Sequence, residues 1–283
     1  MQIVPNSGAI GAQVHGLNLS CPLDLAQKKT LLEAWQAHFV LVFRDQRLDD
    51  DGLVRLAETF GELDPPGPNP YGKTPLHPTH PELNVISNIV EAGRHLGNLG
   101  DGEAVWHADL TYVDKPPKGA ILHALEIPPS GGDTHFANMF AAYDALPDQL
   151  RKRMSDLRAI HDAAHNSAGM LRTGYEEVDD VRLTPGARHP LARTCARRHA
   201  KCLFLGRRPG SYVLELGVSE SEALLDDLWA HATQPEFAMS HQWRQGDVLM
   251  WDNLSVLHRR DAFDPGARRR LHRAQLKGDE AIV

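Results

Sequence analysis

A compact barrel or sandwich of strands with helices outside it is the fold this 283-residue sequence predicts. Three observations predict it. Short apolar runs of strand length dominate the second half, at 119–127, 248–251 and 270–276. Tight turn signals separate them, the clearest being Pro128-Pro129-Ser130-Gly131-Gly132. Segments with helical spacing, such as 25–39 and 219–233, fall between the strands.

The elements follow in order. Residues 3–19 alternate apolar and polar residues among glycines and predict a strand or hairpin. Leu25, Leu31, Leu32, Trp35 and Phe39 have helical spacing, and the apolar run 40–43 is a buried strand. Residues 53–60 form a short amphipathic helix ended by Gly61. The seven prolines in 64–81 make a loop, 83–89 a strand, and the Gly-rich, charged stretch 91–105 a second loop expected to be mobile. After strands at 119–127 and 133–137, residues 139–158 are helical with a break near Pro147. Residues 166–190 are polar and poorly patterned, an excursion over the surface or over a site. Short apolar segments follow at 201–205 and 212–216. Residues 219–233 predict a helix, with Ser219 as N-cap and Glu222 three residues on. Strands are predicted at 237–243, 248–251 and 270–276. No internal repeat is present, and residues 1–283 are expected to form a single domain.

Composition excludes several classes. A net charge of -7 leaves no general basic surface for nucleic acid. Arg207-Arg208 and 268–273 therefore stand out as small anion sites. Three cysteines without CxxC spacing argue against a disulfide framework and a cysteine-based zinc site. No positive N-terminal region precedes an apolar run, and no stretch approaches 18 apolar residues, so neither signal peptide nor membrane span is expected. The expected compartment is the cytoplasm.

The chemistry is concentrated in His107 and Asp109 of Trp106-His107-Ala108-Asp109, and in His258 beyond the strand 248–251. Two histidines and one carboxylate can hold one face of an octahedral iron(II) and leave the other positions open. On a strand, residues i and i+2 share a side, so His107 and Asp109 can bind one ion. With sixteen histidines, roughly one HxD would arise by chance, so the motif gains weight only from its context. Arg269 and Arg273 lie four residues apart on one side of a predicted strand. A guanidinium offers a planar fork that matches a carboxylate. The combination fits an iron site that binds a dicarboxylic keto acid.

The ordered pattern of WHxD, then Gly131-Gly132-Asp133-Thr134, then Trp251-Asp252-Asn253 with His258, then Arg269 with His272-Arg273, resembles the taurine dioxygenase and 2,4-dichlorophenoxyacetate dioxygenase (TauD/TfdA) family. The resemblance runs from Gly11-Ala12 to Gly278-Asp279. It implies an iron(II)/2-oxoglutarate-dependent dioxygenase with a double-stranded β-helix (jelly-roll) core. By position it makes His107, Asp109 and His258 the iron ligands, Thr134 a contact for a 2-oxoglutarate carboxylate, and Arg269 the grip on the distal carboxylate. It makes Arg273 the contact for an acidic substrate. Asp109, where related halogenases carry a small residue, implies hydroxylation.

The implied reaction consumes O2 and 2-oxoglutarate, releases succinate and CO2, and hydroxylates a small acidic organic substrate: an aryloxyalkanoate, sulfonate, sulfate ester or carboxylate. A heteroatom on the hydroxylated carbon would lead to C–O, C–S or C–N cleavage. The resemblance also implies a homodimer or homotetramer. The pattern departs from taurine dioxygenases at Asp64-Pro65-Pro66-Gly67 and Gly102-Glu103-Ala104-Val105, and from the phenoxyacetate enzyme at Leu203–Pro209, leaving the acid open. Arg207 and Arg208 offer a second anion contact or an exposed surface. Two other classes compete: a zinc-type hydrolase on the same triad, and a non-catalytic metal- or keto-acid-binding protein. The hydrolase does not explain Arg269 with Thr134, and nothing in the sequence favours the binding protein, because every ligand is intact.

Overall fold

Residues 248–251 are apolar without alternation, the pattern of a strand covered on both faces. In the computed structural model, which describes residues 1–67, 75–98, 100, 102 and 104–283, this strand lies at the middle of the larger of two main sheets. The main strands are β1 (Gln2–Pro5), β2 (Ala12–His15), β3 (Val40–Phe43), β4 (Leu83–Ser87), β5 (Ala104–His107) and β6 (Gly119–Glu126). They continue with β7 (Thr134–Asn138), β8 (Ala238–His241), β9 (Val248–Asp252), β10 (Val256–Arg260) and β11 (Arg270–Leu276). The larger sheet runs β1-β2-β3-β9-β6-β11-β4, and the smaller β8-β7-β10-β5. All pairs in both sheets are antiparallel except β2 with β3.

Strand pleating separates the two cores. Leu249 and Trp251 of β9, Leu122 of β6 and Leu271 of β11 join the cluster that contains Phe136 of β7. The Phe136 and Trp251 rings lie 5.8 Å apart, so the two sheets meet here. Val248 and Met250 point the other way, as period-two alternation requires. They pack with Leu31 and Trp35 of α1 (Leu25–His38) and Leu53 and Leu56 of α2 (Asp50–Glu58). The mainly β architecture with helices outside it is therefore the one expected.

Some boundaries differ. Helix α2 begins at Asp50 because Asp49 caps it, accepting from the Gly52 N–H at 2.7 Å. The helix expected from 219 spans Val218–Ala232; its N-cap is Gly217 and Ser219 lies inside it. The Pro147 break splits the region 139–158 into helices Met139–Asp144 and Asp148–Met154. Strand β8 is shorter than expected, because Pro235–Phe237 turns as a 3-10 helix. Of the proline loop, 64–67 and 75–81 carry no helix or extended strand, and 68–74 lie outside the described residues. The stretch 91–105 carries the hairpin Val90–Glu91 with Arg94–His95 and enters β5; residues 99, 101 and 103 lie outside the described residues. The expected excursion 166–190 contributes Arg188–Pro190 to a small sheet in which Arg158–Ile160 pairs with it and with Tyr212–Val213.

His161 follows that small sheet's first strand and is buried. It stacks on Phe204 at 5.4 Å and meets His189 edge-on at 5.1 Å, and neither ring nitrogen has a partner. Burial, with His189 beside it, pulls its pKa down to about 3. The unfolded chain takes up a proton as pH falls below the ordinary 6.5, while the folded chain does not until about 3. The stability this neutral histidine permits is thus complete above pH 6.5 and lost progressively between those values. His161→Phe, which keeps the stack, is expected to flatten the fall of melting temperature between pH 7 and 4. An unchanged slope would show that His161 is not a source of it.

Candidate metal centre and its surroundings

Strands β5 and β10 are antiparallel neighbours, and His107 and His258 are directly opposed in their register. Side chains at such a position lie side by side, and the two rings sit 4.2 Å apart. Asp109 reaches them differently from the expectation. Strand β5 ends at His107, and Asp109 lies in the turn beyond it, before Leu110 in a left-handed conformation with φ 49°. Asn253 holds that turn. It accepts the Asp109 N–H at 2.7 Å and donates to the carbonyls of Asp109 and Pro117, each at 2.9 Å. The result is a compact triad. His107 Nε2 is 3.7 Å from Asp109 Oδ1, and His258 Nε2 is 3.9 Å from Asp109 Oδ2. All three ligand atoms lie within 4.8 Å of one another.

The protonation states suit a cation. His107 Nδ1 lies 2.7 Å from the Val105 carbonyl, so it is the protonated nitrogen and Nε2 presents its lone pair. Burial, reinforced by His107, pulls His258 down to about 3 and keeps it neutral at ordinary pH. Burial alone would raise Asp109. The Arg273 guanidinium, 2.9 Å from Oδ2, outweighs it with the two histidines and holds the carboxyl well below the usual carboxylate range. A borderline N,N,O donor set with three protein atoms on one side fits a divalent transition metal with open positions.

A second His/Asp group lies on the outer face of the larger sheet. Asp50 accepts from His272 at 2.6 Å and from His77 at 3.0 Å. His77 Nδ1 accepts the His80 amide at 2.9 Å, so its Nε2 carries the proton and offers no lone pair. This group is a hydrogen-bonded tie between α2 and β11.

Arg269 precedes β11 and is 2% exposed. It pairs with no carboxylate among the described residues, and its Nε is buried without a partner. The guanidinium carbon lies 5.7 Å over the Phe263 ring. Burial, with Arg260 nearby, pulls its pKa down to about 9. A buried cation without an anion is costly unless a ligand supplies one. Two residues along β7's approach complete the setting. Thr134 Oγ accepts from Trp243 Nε1 at 2.9 Å, leaving its own proton free to donate. Gly132 has φ 71°, and a Cβ there would stand 3.2 Å from Arg269 Nε. Gly132→Ala is expected to destabilise the fold by about 1 kcal/mol and to weaken binding of the 2-oxoglutarate mimic N-oxalylglycine. Thermal shifts with and without the mimic would read both, and an unchanged shift would refute the link to Arg269.

The structure thus brings His107, Asp109, His258 and Arg273 into contact and sets Arg269 and Thr134 around Gly132. Arg208 instead bridges Glu222 at 2.6 Å and Asp226 at 2.7 Å on the surface. Arg207 pairs with Asp162 at 3.3 Å. Neither offers an uncommitted guanidinium. Asn253, Trp243 and Gly132 are supporting residues to which the sequence motifs attach no role.

Three buried N,N,O donors where two sheets meet, and a buried arginine that pairs with no described carboxylate, fit a metal-dependent enzyme served by an anionic ligand. The chain belongs to the taurine catabolism dioxygenase TauD, TfdA family, whose model matches residues 2–275. It is 37% identical over 274 residues to an α-ketoglutarate-dependent 2,4-dichlorophenoxyacetate dioxygenase of Burkholderia sp. (strain RASC), covering 94% of this chain and 91% of that one. It is 32% identical to an alkylsulfatase of Acinetobacter baylyi, covering 91% and 79%. Among solved structures, AAD-2 in complex with Mn(II) and N-oxalylglycine matches with a TM-score of 0.81 at 31% identity, over 100% of this chain and 99% of that one. A taurine dioxygenase from Burkholderia xenovorans matches at 0.80 and 30%, over 99% and 90%. The protein is an iron(II)- and 2-oxoglutarate (α-ketoglutarate)-dependent dioxygenase. No described helix is long and apolar enough to cross a membrane.

Proposed function

We propose that this dioxygenase hydroxylates a small acidic organic substrate, of the aryloxyalkanoate, sulfonate, sulfate ester or carboxylate type, within a jelly-roll domain spanning 1–283. His107, Asp109 and His258 would hold the iron. Thr134 and Arg269 would hold 2-oxoglutarate, and Arg273 would meet the acidic group of the substrate. The observation that carries the reading is an N,N,O triad in the same fold as a buried Arg269 that pairs with no described carboxylate. A dicarboxylic keto acid can neutralise that arginine with one carboxylate and reach the metal with the other end.

Bound iron(II) supplies activation of O2, with 2-oxoglutarate oxidised to succinate and CO2 while a substrate C–H becomes C–OH. The chain's own residues orient and exclude. The Val105 carbonyl and Asn253 fix His107 and Asp109. Arg273 holds the second Asp109 oxygen in place, and the Phe136 and Trp251 rings wall the site behind His258. Relatives named for phenoxyacetate, phenoxypropionate and sulfate esters support the substrate class. A cytoplasmic homodimer or homotetramer is the assembly this reading carries.

The test is an anaerobic iron(II)/2-oxoglutarate titration, following the metal-to-ligand absorption while candidate acids are added, and then succinate formation on admitting O2. Succinate that requires iron and O2, and rises with an acid, is expected. Acid hydrolysis with zinc and no succinate would replace this reading with the hydrolase.

A further inference from the structure

The excursion after β7 returns to the metal centre and delivers an arginine that no motif marks. Val105 N–H donates to Ser167 O at 3.2 Å, and Ala108 N–H donates to Gly206 O at 3.0 Å, so this segment is bonded to the backbone on both sides of His107. Arg172 lies on it, its own N–H donating to Ala164 O at 2.7 Å. The Arg172 guanidinium stacks 4.2 Å above the Tyr112 ring and donates to the Tyr112 hydroxyl. Tyr112 is three residues beyond Asp109.

The arginines around the centre differ in their commitments. Arg273 is paired with Asp109 and Arg207 with Asp162. Arg172 forms no ion pair with a described carboxylate, and its Nε is buried without a partner. Burial depresses its pKa, and the charged or titratable groups it senses are Tyr175, Asp109 and Arg207. A half-buried guanidinium held by a tyrosine hydroxyl and no described carboxylate has the fork geometry to receive an anion. Exposed apolar side chains lie near it in the chain and along β5. Met170, Leu171 and Tyr175 on the same segment are exposed, as is Val105. Val105 shares the β5 face of His107, because the two are i and i+2.

We propose that Arg172 is a substrate-specificity residue, a second guanidinium alongside Arg273 for the acidic headgroup, with an apolar body of the substrate lying along Val105 and the 170–171 edge. This rests on the iron/2-oxoglutarate reading and narrows its substrate class to amphiphilic acids: one carboxylate, sulfonate or sulfate on an aryl or alkyl body. Tyr112 acts as a positioning residue through its stack and hydroxyl.

The probe is 2-naphthoxyacetate, with 2-naphthoxyethanol as its uncharged counterpart, titrated by fluorescence into protein loaded with Zn(II) and N-oxalylglycine. Wild type is expected to bind the acid at one site. Arg172→Gln should raise the acid's Kd about ten- to a hundred-fold, as loss of a charged hydrogen bond does, and Arg172→Lys should raise it less. The alcohol should bind wild type and Arg172→Gln alike. No binding of the acid by wild type, an Arg172→Gln Kd within twofold of wild type, or equal weakening of acid and alcohol would each overturn the proposal. Thermal shifts with N-oxalylglycine separate the two levels. If the mimic stabilises wild type but the acid ignores Arg172, only this assignment fails; if the mimic does not bind, the co-substrate reading fails with it.

Discussion

His258→Ala is expected to abolish both the metal-induced rise in melting temperature and iron-dependent succinate formation. His258 is opposite His107 on the neighbouring strand, and among the described residues its Nε2 is one of three grouped donor atoms that would face the ion. Altering a residue that merely supports a ligand weakens metal binding by about 10–100-fold, so removing a ligand should exceed that range. At a metal concentration a thousandfold above Kd, binding stabilises the native state by about 4 kcal/mol. A hundredfold weaker site forfeits about 2.7 kcal/mol of it. The metal-free variant should also lose about 1–3 kcal/mol, because the ring fills space between Phe136 and Trp251. Comparing melting with and without metal separates the two losses. Full iron-dependent turnover by the variant would sink the triad.

How far the sequence discloses this centre differs from ligand to ligand. The apolar strands β3, β6, β9 and β11 are readable within a residue or two, because burial on both faces or strict alternation leaves a local signature. Strand β10 is not. Its residues are Val256-Leu257-His258-Arg259-Arg260, and two apolar positions followed by three polar ones do not mark a strand. What makes it one is its pairing with β7 and β5, a non-local cause. Asp109 illustrates the same limit. The i, i+2 argument brings it to His107's side for the wrong reason, since the chain leaves the strand between them and Asn253, 144 residues away, closes the turn. Arg269 and Arg273 are legible as a pair, yet only the fold shows that they differ: Arg273 has Asp109, and Arg269 has no anion. Arg172 sits in a segment without periodicity, where composition carries no information about position.

Arg269→Met should make the metal-free protein more stable while removing its response to 2-oxoglutarate. The two effects have one cause. Arg269 is 2% exposed and unpaired, and burial pulls its pKa down to about 9. The sign follows from proton counting. Below pH 9 the folded and unfolded chains both carry the proton, so the penalty of burying the charge is fully present at pH 7–8. Between pH 9 and the ordinary 12.5 the folded chain would release its proton first, and stability would recover. Replacing such a charge with an apolar side chain of similar length typically stabilises a protein by about 1–4 kcal/mol. Methionine also keeps the contact with Phe263 and respects the space in front of Gly132. In wild type, N-oxalylglycine should restore what the buried charge costs, because its carboxylate supplies the missing anion. Its binding should therefore raise the wild-type melting temperature strongly and the variant's hardly at all. A variant that is less stable without ligand would mean that Arg269 has a protein partner, and one that still responds to the mimic would remove Arg269 from the co-substrate site. If Arg269 is the co-substrate arginine, the resting protein keeps a destabilising group that its ligand neutralises, so binding and stability rise together.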